Sequence, residues 1–184
     1  MVAARSVATP VRAGRGVRRD ADGADHRQLA REGTSLGSGR KRGEWEQAVG
    51  RSRGGRTSKI HCLADDRGRP IAFALTPGNV ADISMALPLL TAVAPAKRLI
   101  ADKAYDVESL RGWLKERRVK AVIPSTASRT VPYPLDRAAY QRRNLIERLF
   151  GRLKNWRRIA TRYDRLARNY MAALALVAVA IEWT

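Results

Sequence analysis

Apolar positions fall into regular periods from Thr57 onward. The run "SKIHCLAD" alternates, with Ile60, Cys62 and Ala64 on one side. "DRGR" supplies a turn, and "PIAFALT" alternates again through Ile71, Phe73 and Leu75. Two alternating runs around a short polar turn predict a β-hairpin. "PGN" ends the second strand, and Asp82 is placed to cap a helix over "ISMALPLLTAV", with Pro88 near its middle as a flaw or kink. A short buried strand is predicted from Arg98 to Ala101, ending at Asp102. "VESLRGWLKERR" carries Val107, Leu110 and Leu114 at helical spacing, with Asp106 as its N-cap. "KAVIPS" predicts another short strand closed by Pro124, and "TASRTVPYPLDRA" a loop. A long helix is predicted from about Arg137 to Trp156 and a final one from about Asn169 to Trp183, with a break around "ATRYDRLA". The order is that of an α/β chain with a mixed sheet.

The segment before Gly50 has another character. Met1 to about Gly43 is rich in Arg, Gly, Ala and Ser and lacks a sustained apolar period. It predicts disorder, with a short helix near "HRQLAREG", and "GRSRGGR" reads as a flexible basic linker. No apolar strand is predicted ahead of Gly50.

Composition narrows the function. The chain has 184 residues, enough for one domain with a real core. Its net charge of +19 and pI near 11.4 call for a polyanionic partner, of which nucleic acid is the commonest and a membrane surface the weaker alternative. The single Cys62 rules out an intrachain disulfide and suits a reducing cytosol. The first residues lack the apolar segment of a signal peptide. "MAALALVAVAI" is shorter than the ~20 residues that span a bilayer and predicts a buried helix.

Two carboxylates stand out. Asp102 sits where a buried strand ends, at the sheet edge where ligand sites of open α/β sheets form. A helix cap, or pairing with Lys103, is the alternative. Glu147 lies among basic residues on the long helix. Tyr140, Arg143, Glu147 and Lys154 are separated by three, four and seven residues, which places them along one helical face. Leu145, Leu149 and Leu153 form the apolar stripe, with Ile146 and Phe150 beside it. A solvated salt-bridged face would explain Glu147. So would a second carboxylate meeting Asp102 to bind Mg²⁺ through oxygen.

The spacing Tyr140-x2-Arg143-x3-Glu147-x6-Lys154 resembles the signature of bacterial insertion-sequence DDE transposases of families four and five. The strings "GRSRGGRTSKIH", "IADKAYD" and "RNLIERLFGRLKNWRRIATRYDRLARNY" resemble the same group, so the likeness covers about Gly50 to Trp183. The resemblance implies a ribonuclease H-like catalytic domain over residues 50–184 and an Asp-Asp-Glu triad holding two divalent metals, Mg²⁺ or Mn²⁺. Asp102 matches the second aspartate and Glu147 the glutamate. Lys154 would contact the DNA backbone, Arg143 would act near the active site, and Arg157, Arg158 and Arg162 would hold phosphates. The implied partner is DNA at insertion-sequence ends, with a homo-oligomer open, no membrane, and a cytoplasmic, nucleoid-associated location.

The family's first aspartate has no counterpart in a strand here. Asp25 in "GADHRQ" falls near the expected distance. Read one nucleotide forward from permitted codons, Ala21 to Gly43 yields Ile-Ile-Asp-Ser and a family-like string, with the frames rejoining near Arg40 to Gly43. Residues 1–49 are thus expected to be a disordered or out-of-frame basic segment. The domain is expected to lack its first central strand, to bind metal weakly and to be inactive alone. A DNA-binding regulatory fragment or an inert remnant are the other readings. His61 and Cys62 lack ligand-spaced partners and predict structural roles. Trp113 and Trp183 predict packing, while Trp156 adjoins Lys154, Arg157 and Arg158 on a candidate DNA face.

Overall fold

A computed structural model describes residues 2–11, 47–52 and 55–182. The short helix predicted near "HRQLAREG" and Asp25 lie outside the described residues, as does Trp183.

Six strands form one mixed sheet: β1 (Val2–Pro10), β2 (Gly50–Ser52), β3 (Gly55–Ala64), β4 (Pro70–Pro77), β5 (Arg98–Ala101) and β6 (Lys120–Val122). The path runs β2-β3-β1-β5-β6, with β4 paired to β3. The predicted hairpin is β3–β4, antiparallel from Ser58↔Pro77 to Ala64↔Pro70. Ile60, Cys62 and Ala64 share one face with Phe73 and Leu75, as the alternation requires. Ile71 departs from it and is 48% exposed, because the register shifts between Leu63 and Ala64 and places it at the irregularity.

The largest correction concerns the sheet's centre. The sequence predicts no apolar strand before Gly50 and a missing first central strand, yet β1 lies between β3 and β5, antiparallel to the first and parallel to the second. Its sequence, "VAARSVATP", is small and only partly apolar. It extends because both its edges find partners, so its backbone groups are paired on either side. "GRSRGGR" is likewise more than a linker. Gly50–Ser52 pairs with β3 through Gly50↔Thr57 and Ser52↔Gly55, and Gly55 takes φ +99°, open to glycine, at the return.

Among the described residues six helices flank the sheet: α1 (Ala86–Thr91), α2 (Glu108–Glu116), α3 (Arg137–Gln141), α4 (Asn144–Lys154), α5 (Arg157–Ala160) and α6 (Ala167–Glu182). α1 and α2 cover one face, where Leu89, Leu110 and Leu114 pack on Leu63, Leu99 and Ala101. α4, α5 and α6 cover the other, where Leu149, Ile159 and Leu174 meet Ile60, Cys62 and Ala64. A smaller cluster joins Ile100 and Val122 to Ala139 and Tyr140 of α3.

Three local expectations also change. Asp82 opens a 3₁₀ turn (Asp82–Met85) without capping it, and its carboxylate pairs with Lys59 at 2.8 Å. α1 starts only at Ala86, so Pro88 falls in its first turn, where a missing N–H costs no intrahelical bond, and no kink is needed. The long helix is broken at Arg142–Arg143 into α3 and α4. Tyr140 and the other three signature residues therefore do not share one continuous helix.

Candidate functional site

β5 delivers Asp102 one residue past its last strand residue, Ala101. There the backbone is still extended, and the carboxylate accepts the Ala104 N–H at 2.9 Å, capping the 3₁₀ turn Lys103–Tyr105. The capping role weighed for Asp102 is therefore real in this structure. The register adds a second fact. Ala4 of β1 pairs with Ala101, so Arg5 stands at the level of Asp102 on the neighbouring parallel strand.

α4 is amphipathic, and Ile146, Leu149, Phe150 and Leu153 bury its inner face. Leu145 is only half-buried, one position off the stripe predicted for it. Glu147 sits in the first turn, half-buried at the edge of that face. Arg143, at the N-cap of α4, donates to its Oε1 at 2.7 Å. The Arg143 guanidinium also lies 5.5 Å from the centre of the Tyr140 ring. Tyr140 packs in the cluster that holds Ile100, two residues before Asp102, and α4 packs against β1. The signature residues and Asp102 thus belong to the same side of the sheet.

A divalent metal needs several oxygen ligands free to converge. Here Asp102 caps its own turn and Glu147 is paired with Arg143. Among the described residues no three His, Cys, Asp or Glu side chains form a group able to hold a metal ion. Among the described residues these two carboxylates do not by themselves make a metal centre.

The cationic side is better developed. Lys154 ends α4, and Trp156, 49% exposed, is the N-cap of α5. Arg157 and Arg158 follow, both exposed. Arg157 donates to the Tyr163 hydroxyl at 3.2 Å, and Arg158 holds Asp164 with two bonds of 2.7 and 3.0 Å. Arg158 beside it keeps the Asp164 carboxyl below its usual range. These contacts fix the guanidinium groups without covering them. Arg162 does not join this face. It is fully buried, contrary to the phosphate-holding role implied for it, and its guanidinium donates to Ser58 Oγ and to the Ala48, Asp164 and Arg165 carbonyls.

Asp106 also departs from the capping role its position predicts. α2 is N-capped by Val107 without a side-chain bond, and Asp106 turns inward instead. It accepts from Arg111 at 2.6 Å, from the Thr126 N–H at 2.7 Å and from Arg129 at 3.1 Å. Burial pushes its carboxyl up, but the bonds from Arg129, Thr126 and Arg111 outweigh that and hold it well below the usual range. Arg111 and Arg129 both approach the Tyr133 ring, at 4.1 and 4.8 Å. The loop between β6 and α3 is thereby pinned. The signal was present as two arginines and a tyrosine around one acid, but their separation along the chain hid it.

His61 and Cys62 are buried in β3. His61 Nε2 pairs with the Thr76 hydroxyl at 2.7 Å, and burial lowers its pKa to about 4, with Asp82 pulling upward and Lys59 downward. Burial raises the Cys62 thiol. Both residues are structural. Trp113 is partly buried against the α1–α2 core, as predicted.

Known proteins resemble this chain closely enough to place it. It is 33% identical over 128 residues to a candidate transposase of insertion sequence element IS6501 from Brucella ovis, an alignment taking in 69% of this chain and 98% of that protein. It is also 33% identical over 137 residues to a candidate transposase of insertion sequence element IS402 from Burkholderia cepacia, covering 68% of this chain and 63% of that one. Residues 23–181 match the transposase DDE domain, a match that begins inside the segment expected to be out of frame. With the carboxylate-bearing mixed sheet and the Tyr140–Lys154 signature, these likenesses identify the chain as a member of the transposase DDE domain family.

Proposed function

We propose that this transposase acts in DNA-mediated transposition by holding DNA at insertion-sequence ends, and that it does not cleave strands by itself. The observation that carries the reading is the corner between α4 and α5. Lys154, Arg157 and Arg158 surround the exposed Trp156 there, in a chain of net charge +19. Cations of this density bind the phosphate backbone with little sequence preference, and an exposed indole offers a stacking surface for a base.

Asp102 and Glu147 are the family's second aspartate and its glutamate in this reading, with Arg143 and Tyr140 setting the position of Glu147. Divalent metal is the family's general cofactor. In this chain Arg5 holds the register position level with Asp102, and an arginine supplies no acidic oxygen for a metal. Absence of self-sufficient cleavage follows from that placement and from the pairing of both carboxylates.

Fluorescence anisotropy with a labelled duplex, as a function of salt, tests the binding. A steep fall of affinity with salt is expected, and no binding at about 0.1 M salt overturns the reading. Incubation of the same duplex with Mg²⁺ or Mn²⁺ tests the second clause, which strand nicking by the purified chain would defeat.

A further inference from the structure

We infer that the outer face of α6 pairs two copies of this chain in an antiparallel arrangement. α6, "ARNYMAALALVAVAIE", is apolar almost all round. A helix of that kind is covered on all sides in a finished structure. Its inner side is covered, with Tyr170, Leu174, Val177 and Ile181 buried against the sheet and α4. Its outer side is open: Leu176 is 72% and Val179 58% exposed, with Ala172 and Ala175 exposed beside them. At 16 residues it is too short to cross a membrane, and no described helix is long and apolar enough to do so.

The open face has an internal order. Arg168, Ala172, Ala175, Val179 and Glu182 are spaced four, three, four and three residues apart, which is the seam of a helix that packs on another helix. The seam is ~21 Å long. It begins with a cation and ends with an anion, both exposed. A second copy laid antiparallel sets each Arg168 by the Glu182 of the other. It also sets Ala172 by Val179 twice, small against large, and Ala175 on Ala175 at the centre, where small residues let the helices approach closely. A parallel copy would set Arg168 on Arg168 and small on small. Charge and volume therefore both select the antiparallel pair, and they select this same chain as its partner. Within one copy Glu182 has Arg152 at 3.7 Å and the electrostatic pull of Arg69, a loose arrangement that leaves it able to turn to a partner on a second copy.

Sedimentation velocity on the nuclease-treated full chain, at micromolar concentration and about 0.15 M salt, reads the association directly. A dimer is expected. Leu176→Gln with Val179→Gln should give a monomer with unchanged far-ultraviolet circular dichroism, since both side chains lie outside the core. Arg168→Glu should also give a monomer, and adding Glu182→Arg should restore the dimer. A monomeric wild type overturns the inference, as does a dimer that survives the double glutamine change. Failure of the charge exchange to restore association overturns the antiparallel order. A monomer that instead sediments with phosphatidylglycerol vesicles, and loses this with Leu176→Gln, assigns the face to a membrane surface and also overturns the inference.

Discussion

Arg162 Nη1 donates to the Ser58 hydroxyl at 2.6 Å, joining the segment after α5 to strand β3 inside the protein. The same residue's N–H donates to the Pro10 carbonyl at 2.9 Å, at the end of β1. One buried guanidinium thus ties the start of the α5–α6 connection to the segment at Ala48 and to β3, while its backbone ties in β1. Burial lowers its pKa, with Tyr170 and Asp164 pulling the other way. Arg162→Ala would strand several buried acceptors at once. A loss of about 3 kcal/mol or more in unfolding free energy is expected by urea denaturation. A loss under about 1 kcal/mol would show that water replaces the guanidinium without penalty.

Acid should destabilise the sheet through His61. Its pKa is about 4 in the folded chain against 6.5 for a free imidazole. The unfolded chain therefore binds more protons between those values, so stability is full above pH 6.5 and is lost as pH falls toward 4. The fall should be about 1.4 kcal/mol per pH unit inside the window, and about 3 kcal/mol in all. Thermal melts across this range should show the slope in the wild type and a flatter profile in His61→Gln. Equal profiles would assign the acid sensitivity elsewhere.

The basic corner predicts a graded salt response. Each phosphate contact removed should lower the slope of log affinity against log salt by about 0.9. Lys154→Ala should produce that full change. Arg158→Ala should produce less, because its guanidinium already holds Asp164 in two bonds. Trp156→Ala should weaken single-stranded binding by about 1–3 kcal/mol while leaving the salt slope in place. Anisotropy titrations at several salt concentrations separate these effects, and identical slopes in all variants would place the DNA elsewhere.

Arg5→Asp should create metal affinity where the wild type has little. The change puts an aspartate at the register position level with Asp102 on the neighbouring strand. A rise in melting temperature with added Mn²⁺ is expected for the variant alone. Equal shifts in both proteins would mean that the position of Arg5 has no bearing on metal.

Much of the architecture could be read from local patterns. The β3–β4 hairpin, β5, β6, α2 and α6 follow from period two and period 3.6 in runs long enough to count. Asp102 and Glu147 could be singled out because each breaks its surroundings, one ending an apolar strand and one standing among cations. β1 could not be found this way. Its residues are small and mixed, and it extends because two distant strands bind its edges. The break in the long helix at Arg142 was hidden for a similar reason, since no proline or glycine marks it. Asp106 and Arg162 were misassigned because their partners lie up to 23 and 114 residues away, beyond any spacing rule.

The position of β1 also sets an order on how the chain acquires its shape. β1 cannot begin to pair on one edge until Thr57 exists, nor on the other until Leu99 to Ala101 exist. At about 5–20 residues per second of synthesis, roughly five seconds or more separate its appearance from that of β5. During that interval its edge is open to any extended strand, including one from a neighbouring nascent chain. A ribosome carrying this message therefore exposes a sticky segment for a time set by translation speed, and slower decoding between β3 and β5 should lower the yield of folded protein.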